Sequence, residues 1–495
     1  MDIEARSQAF SLRKLYTRKD YSRTFPISYM WPNGPSLPEQ RVLPNAAGFG
    51  RYYSDPLWGI RHENGQCYPC AYGVPALDDQ KIPAAPVLQQ KSPAASVEPK
   101  GPDSEGLSGS HRVPATAPVV LAGFCAFLNL YATQPLLPLL AGYFHRSHAD
   151  VTLTVTAGTA AVAIAAPFAG QVADRIGRKR VIVVSALLLG LTALPAAMAA
   201  SLGALIFWRF VQGLATPGVF AITIAYINDE WPVERAASAV GAYVSGTVLG
   251  GFSGRVISGF AAQYLGWRWT FVLLGTAAIA IAAFLARGLP TERAFHHHRE
   301  YRVAIWRASA RHLRNPLLAA TYAGAFCVLF TQVALFTYVT FRLAAPPFLL
   351  RPGALGLIFC VYLVGAAVTP LAGRAIDRFG HRAAILAACA MCAGGAAISL
   401  GANIAAVLAG LTLASSGVFI ANSAATSYIG TAAEHGRALA VGIYVTCYYI
   451  GGSFGAAAPA WLWDRWGWTG CVGLVICVQA TLATISGFGF ARGSK

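Results

Sequence analysis

From Pro114 onward the chain is a succession of apolar runs, each long enough to cross a bilayer. That pattern limits the possible folds more than any single motif. A helical span needs about 20 mainly apolar residues. The runs fall at 115–143, 150–172, 181–199, 202–226, 236–264, 269–287, 315–340, 353–374, 383–401, 404–430, 438–462 and 468–490. The stretch 383–433 contains no Asp, Glu, Lys or Arg and is divided at Gly401-Ala402-Asn403. In hydrocarbon only helices and closed barrels satisfy their own backbone groups. No run alternates apolar with polar residues, so a β-barrel is disfavoured. The expected fold is an all-α integral membrane protein of twelve transmembrane helices. Composition agrees: only 12% of the residues are charged and the mean hydropathy is +0.50, whereas soluble domains carry about 25% charged residues. An ordinary cytosolic enzyme and a disordered chain are both excluded.

The net charge of +17 resembles a nucleic-acid footprint but is distributed differently. Most of the excess sits in short loops between apolar runs, where Lys and Arg orient a polytopic chain. With the amino end inside, 19 basic residues from Arg112 onward fall on the cytoplasmic side and five on the other, leaving aside Arg209 and Arg255 within helices. Both termini are therefore expected in the cytoplasm.

Residues 1–113 differ from the rest. They are rich in charge and proline and contain no spanning run and no signal-peptide core. Residues 83–105 have the composition of a flexible linker. Two readings stay open: a poorly ordered cytoplasmic tail, or an upstream stretch reached through a wrong start codon. Cys67-Tyr68-Pro69-Cys70, with only His62 nearby, lacks a fourth metal ligand. The other eight cysteines lie in apolar segments and read as small buried hydrophobes. His296-His297-His298 lies in an arginine-rich loop and reads as solvated. No metal and no cofactor is expected.

The runs repeat. Gly170–Arg180 reads GQVADRIGRKR and Gly373–Ala383 reads GRAIDRFGHRA, at an offset of 203. Later matches, such as Gly250 with Gly451 and Gly254 with Gly455, keep an offset of 201. The chain therefore holds two six-helix pseudo-repeats, 114–288 and 315–491, joined by a basic cytoplasmic linker at 289–314. Parallel repeats of this kind place a site at the bilayer midplane between the halves.

On these residues the chain resembles a twelve-span transporter of the Major Facilitator Superfamily, and within it the bacterial inner-membrane drug- and sugar-efflux type of permease. The resemblance covers about 114–491. The loop after the second run matches the superfamily pattern G-x-x-x-D-R-x-G-R-K at Gly170, Asp174, Arg175, Gly177, Arg178 and Lys179. The second half keeps Gly373, Asp377, Arg378, Gly380 and Arg382, with His381 for the first basic residue. Arg209, Gln212 and Gly213 match the R-x-x-Q-G motif of the fourth helix. The fifth helix resembles the antiporter motif at Gly246, Gly250 and Gly254, but has Gly251 for its Pro and Arg255 for its last Gly. The resemblance implies alternating access, a monomer, and a gate in which Arg178 faces Asp229 or Glu230.

Asp174 and Asp377 stand at the cytoplasmic ends of the second and eighth helices. A carboxylate there can pair with arginine or accept from free N–H groups at a neighbouring helix start. Contacts formed in one arrangement and broken in another bias a two-state equilibrium. Arg209 and Arg255 lie about 10 Å and about 13 Å deep by helical rise, where each costs about 2.5–3.5 kcal/mol to insert. Either they hold a solute's anionic or electron-rich group, or they are structural arginines bonded to helix-end carbonyls. Asn129, Tyr131, Gln134, Gln212, Gln332, Tyr338, Asn422, Tyr444 and Tyr448 are further candidates for a solute site, with interhelical packing as the competing use. Gly246, Gly250, Gly254, Gly451 and Gly455, spaced four apart, suit close helix packing.

No Asp, Glu or His lies mid-helix. A cationic-drug pump with a buried acid is thereby disfavoured, and a neutral or anionic solute favoured. The expected function is secondary active export of such a solute across the inner membrane, with protons as an open coupling partner. A proton-coupled multidrug antiporter is the alternative, and a transporter-like sensor without flux is the alternative of another class. An enzyme is disfavoured, since no buried acid–base pair and no phosphate-cradling Gly-Lys-Ser/Thr loop is present.

Overall fold

In the computed structural model the described residues are 115–292, 315–432 and 437–489, with three short strands nearer the amino end. The linker 293–314, with His296–His298, lies outside them, as do residues 83–105, Cys70 and Glu434. In the first part of the chain, where the sequence shows no clear strand period, Tyr52–Asp55 (β1), Gly59–His62 (β2) and Cys67–Tyr68 (β3) form an antiparallel sheet in the order β1-β2-β3. Tyr52 faces His62 and Ile60 faces Tyr68.

The helical body begins with α1, which runs Ala117–Leu130, passes through a 3-10 turn at Gln134–Leu136 and continues as Leu137–Phe144. His148–Ile176 (α2), Arg178–Ala197 (α3), Leu202–Glu230 (α4), Val233–Tyr264 (α5) and Trp267–Gly288 (α6) complete the first half. The second half opens with Pro316–Ala344 (α7). Next, α8 starts at Pro352–Leu357 and runs on to 379, where Gly380 breaks it from α9, which ends at Ile398. Then come Ile404–Ala432 (α10) and Arg437–Ala457 (α11), which resumes at Pro459 and ends at Gly467. The last helix, α12, runs from 468 to 489. Among the described residues, eleven helices are long and apolar enough to cross a bilayer. The remaining long one, α5, is diluted by its glycines and Arg255.

Local chemistry sets the boundaries. Ser147 caps α2 and exchanges bonds with Asp150 in a capping box. Ser201 accepts from the Ala204 N–H at the start of α4 at 3.2 Å, and Asn403 from Ala406 at the start of α10 at 2.7 Å. Gly177 and Gly380 turn the chain with φ of +97° and +82°, a region where a side chain is strained. They are equivalent positions of the two repeats.

The repeat is visible in the packing. In the first half α1 lies on α5, α2 on α4 and α3 on α6; in the second half α7 lies on α11 in the same way. Gly246, Gly250 and Gly254 place α5 directly against the backbone of Val120, Phe124 and Leu128 on α1. Gly451 and Gly455 do the same against Phe326 and Phe330 on α7. Small residues at four-residue spacing allow this approach. The halves meet chiefly where α2 packs on α11 and where α5 packs on the start of α8. These two contacts exchange under the repeat.

Candidate functional site

The face carrying Gly177 and Gly380 is rich in arginine; the other is called the opposite face. Pro135 and Pro138 explain the break in α1. Neither supplies an N–H, so the chain tightens: Gln134 N–H donates to Tyr131 O at 3.1 Å and Leu136 N–H to Thr133 O at 3.0 Å. Carbonyls near the end of the first segment are left short of helical donors. Arg209, 1% exposed on α4, supplies them. Its Nη1 donates to Asn129 O at 2.9 Å and to Gln212 Oε1, and its Nη2 donates to Leu130 O. Gln212 Nε2 in turn donates to Leu189 O at 3.0 Å and to Asn129 Oδ1 at 3.4 Å. This is the helix-end-carbonyl arrangement. The equivalent residues of the second half, 410–412, are uncharged, and α7 there is unbroken. Asn129 Nδ2, Thr133 Oγ1 and Arg209 Nε are buried without a partner.

Arg255, 3% exposed, sits where the halves join. Its Nε donates to Gln134 Oε1 at 2.8 Å and its Nη1 to Gly251 O at 2.5 Å. Its guanidinium carbon lies 4.8 Å from the ring centre of Tyr131, 4.6 Å from Phe359 and 5.0 Å from Tyr362. The first ring belongs to α1, the other two to α8 of the other half. Gln134 Nε2 donates across the interface to Thr337 Oγ1 on α7 at 3.1 Å.

Toward the middle the phenols of Tyr131 and Tyr362 flank Arg255, and Tyr448 lies in the same region. Gln332 on α7 lies near Tyr362. Tyr444 stacks on Tyr448 at 6.0 Å and donates to Asn422 Oδ1 at 2.9 Å. Tyr449 meets Phe220 of the first half at 5.7 Å, and Ser453 Oγ bonds Thr159 Oγ1 on α2 at 2.9 Å. Tyr338 stands apart: it is fully buried, donates to Ala456 O at 2.9 Å and packs on Phe341 and Trp463.

The structure thus separates the sequence candidates into two groups. Asn129, Arg209 and Gln212 form one polar knot inside the first half. Tyr131, Gln134 and Arg255 form a junction with residues the sequence reading did not select: Thr337, Phe359 and Tyr362. Tyr448 leads from this junction to the Tyr444–Asn422 pair. Phe359 and Tyr362 carry no sequence signal, since aromatics in an apolar run read as lipid-facing or core. Among the described residues, Arg209 and Arg255 are the buried charged side chains; every buried polar partner around them is neutral.

On the arginine-rich face Arg178 Nη1 pairs with Asp229 Oδ2 and donates to Ala225 O at 2.9 Å. Glu230 follows Asp229 at the end of α4. Glu292 Oε1 accepts from the Lys179 N–H at 2.6 Å, capping α3, while Lys179 Nζ donates to Leu289 O at 2.6 Å. A cleft there is lined by Ile176, Gly177, Lys179, Arg180, Thr291 and Glu292, all within the first half. Asp174, Arg175, Asp377, Arg378 and Arg382 are exposed, and among the described residues neither Asp174 nor Asp377 takes a hydrogen bond. A Cβ at Gly170 or Gly373 would meet nothing within 4 Å. At the second-half position His381 bonds Ser427 Oγ at 3.1 Å instead of an acid.

On the opposite face His148 Nδ1 lies 3.8 Å from Asp464 Oδ1 across the halves, with its ring 4.7 Å from Phe341. The Gln134–Thr337, Ser453–Thr159 and His148–Asp464 contacts between the halves fall between the middle of the helices and this face. A model of the Major Facilitator Superfamily matches residues 119–361 and 343–491. The chain belongs to that superfamily. It is 31% identical over 366 residues to the inner membrane transport protein YnfM of Escherichia coli, covering 74% of this chain and 88% of that one. It is 29% identical over 374 residues to the MFS-type transporter YybF of Bacillus subtilis, covering 76% and 92%. Among solved structures, the fold matches a bacterial homologue of the human lysosomal transporter Spinster, in an inward-facing and occupied conformation (TM-score 0.61, 15% identity, 76% of this chain and 96% of that one). The nucleoside transporter NupG matches with a TM-score of 0.63 at 13% identity, covering 76% and 99%. The chain is a multi-pass membrane transporter of this superfamily.

Proposed function

We infer that the protein is a secondary active exporter of a small neutral or anionic solute across the bacterial inner membrane, working as a single chain by alternating access. The observation that carries the reading is the junction between the halves. It holds a buried arginine, phenols and amides from both halves, and no carboxylate among its described residues. Such a site offers hydrogen-bond donors and ring faces to an acceptor-rich solute. It offers no counter-ion to a lipophilic cation. With the arginine-rich face read as cytoplasmic, the contacts near the opposite face support a state closed to the outside.

Tyr131, Gln134, Arg255, Gln332, Asn422, Tyr444 and Tyr448 are the proposed solute contacts. Arg209, Gln212 and Asn129 shape the site by holding the broken α1. Asp174 and Asp377 are proposed to gain their partners when the cytoplasmic side closes, with Arg178 and Asp229 keeping the end of α4 against the start of α3. Rocking of two rigid halves around a central site follows from the parallel repeat.

The test is flux in proteoliposomes under an imposed pH gradient, with neutral, anionic and cationic solutes side by side. Movement of a neutral or anionic solute is the expected result. Proton-driven movement of a lipophilic cation such as tetraphenylphosphonium, with no movement of the others, would replace this reading with the multidrug antiporter.

A further inference from the structure

The guanidinium of Arg255 has an unusual set of neighbours for a charge inside a membrane protein. Among the described residues, its hydrogen bonds reach only Gln134 and the carbonyl of Gly251. Its guanidinium also lies over three aromatic faces, two of them from the other half. Those two rings are firmly placed. Phe336 on α7 lies 4.4 Å from Tyr362 and 5.7 Å from Phe359, and Phe359 and Tyr362 lie 5.7 Å from each other. The backbones are close as well. A Cβ at Gly356 would come within 2.7 Å of Arg255 O, and one at Gly259 would strike Pro352 O. Gly353 N–H donates to Gln263 Oε1 at 3.1 Å. The start of α8 is thus seated on α5, with Arg255 at the inner edge of the seat.

A guanidinium over an aromatic face is attracted by the ring quadrupole, and the attraction grows as water is removed. Two of the three faces exist for Arg255 only while α5 and α8 touch. If the halves rock apart on the opposite face, the charge keeps Tyr131, Gln134 and the Gly251 carbonyl and loses Phe359 and Tyr362. No carboxylate among the buried described residues is there to take their place. A planar guanidinium freed in this way matches a carboxylate bidentately, with two parallel N–H···O bonds.

We propose that Arg255 is a specificity-determining residue for an organic carboxylate: the rings of α8 hold its guanidinium while the opposite face is closed, and the solute's carboxylate takes over that charge when the face opens. The proposal rests on the transport reading above and narrows its neutral or anionic solute to an anion. The solute and the two rings compete for one cation. Anion binding and closure of the opposite face are therefore opposed.

The experiment uses the full chain in lipid nanodiscs, with benzoate as the probe and benzamide as its uncharged isostere. Binding is read by calorimetry, and opening of the opposite face by hydrogen exchange of backbone amides at 352–362. Benzoate is expected to bind the parent and speed exchange at 352–362, and benzamide to do neither. Arg255→Gln is expected to exchange faster at rest and to lose the benzoate response. Because Arg255→Gln removes a buried group and can fail to fold, the decisive variant leaves the arginine in place. In Phe359→Leu/Tyr362→Leu the competitors are gone, so benzoate affinity is expected to rise on the order of tenfold. A solely structural arginine predicts unchanged or weaker binding in that variant. Equal binding of benzoate and benzamide, or benzoate binding that survives Arg255→Gln, overturns the proposal. Flux of a neutral solute by the parent, unaffected by Arg255→Gln, overturns the anion assignment and leaves the transporter reading standing. Benzoate-dependent exchange without flux of any solute does the reverse.

Discussion

Replacing Gly250 by alanine sets two effects of opposite sign against each other. In a bare helix the change is favourable by about 1 kcal/mol, because alanine leaves the unfolded backbone less freedom to lose. In α5 the new Cβ would run into the carbonyl oxygen of Phe124 and lie 2.6 Å from its Cα, where ordinary contact begins at 3.4 Å. The obstructing atoms are backbone, so no side chain can swing aside. Helices α1 and α5 would have to part by close to an ångström. Gly246 and Gly254 touch Val120 and Leu128 in the same manner, so parting at one rung loosens the rungs on either side. Overpacking of a close-packed interface costs about 1–3 kcal/mol. Set against the helical gain of about 1 kcal/mol, the variant is expected to lose up to about 2 kcal/mol. The assay is the apparent melting temperature of the detergent-purified chain, read from monomer recovered after heating. All variants are heated on one schedule, because unfolding of such proteins is irreversible. Gly473→Ala is the control: nothing lies within 4 Å of its Cβ position, so only the helical gain remains. Gly250→Ala should melt below the parent and Gly473→Ala at or above it. If Gly250→Ala melted as high as Gly473→Ala, the close approach of α1 and α5 would be refuted.

Arg209→Met should lower the melting temperature sharply, since it strips donors from Asn129 O, Leu130 O and Gln212 Oε1 and leaves the last two as orphans costing about 1–3 kcal/mol each. Parent-like melting with lost solute binding would mean that Arg209 serves the solute and not the broken helix. Arg178→Gln removes a partly exposed pair worth under about 1 kcal/mol, so melting should stay put while flux in proteoliposomes falls several-fold. Unchanged flux would remove Arg178 from the gate. Thr337→Val takes away the hydroxyl that accepts from Gln134 and should shift the equilibrium by about 1 kcal/mol toward opening of the opposite face. Hydrogen exchange at 352–360 checks it, and slower or unaltered exchange would count against a latch at this point.

What was legible in the sequence and what was not divide along one physical line. A bilayer forces each crossing to be a long apolar helix, so the number and limits of the helices could be read directly. The duplicated Gly-x-x-x-Asp-Arg-x-Gly loops and the glycines four apart also carry positional meaning that no tertiary contact is needed to see. The choice between two uses of Arg209 was not legible. It depends on α1 ending its first segment near Leu130, and so on where the freed carbonyls point. Pro135 and Pro138 announce a break but not its partner. The rings around Arg255 were hidden for another reason. A helix that is apolar all round has no moment to say which side faces a neighbour, so Phe359 and Tyr362 looked like any other aromatics of the eighth span. Tyr338 was chosen for the same polar tip as Tyr131 and Tyr444, yet its hydroxyl is turned to the Ala456 carbonyl inside the second half.

The cap that Glu292 places on α3 has a consequence for how the two halves are joined. It fastens the chain leaving α6 to the first half, so the covalent connection to the second half starts only after that carboxylate. Residues 293–314 carry that connection on to Asn315. In mechanical terms the molecule is a heterodimer that happens to share a peptide chain. Its geometry is written in the α2–α11 and α5–α8 seams, and a cut in the tether would leave those seams to hold the pair together on their own.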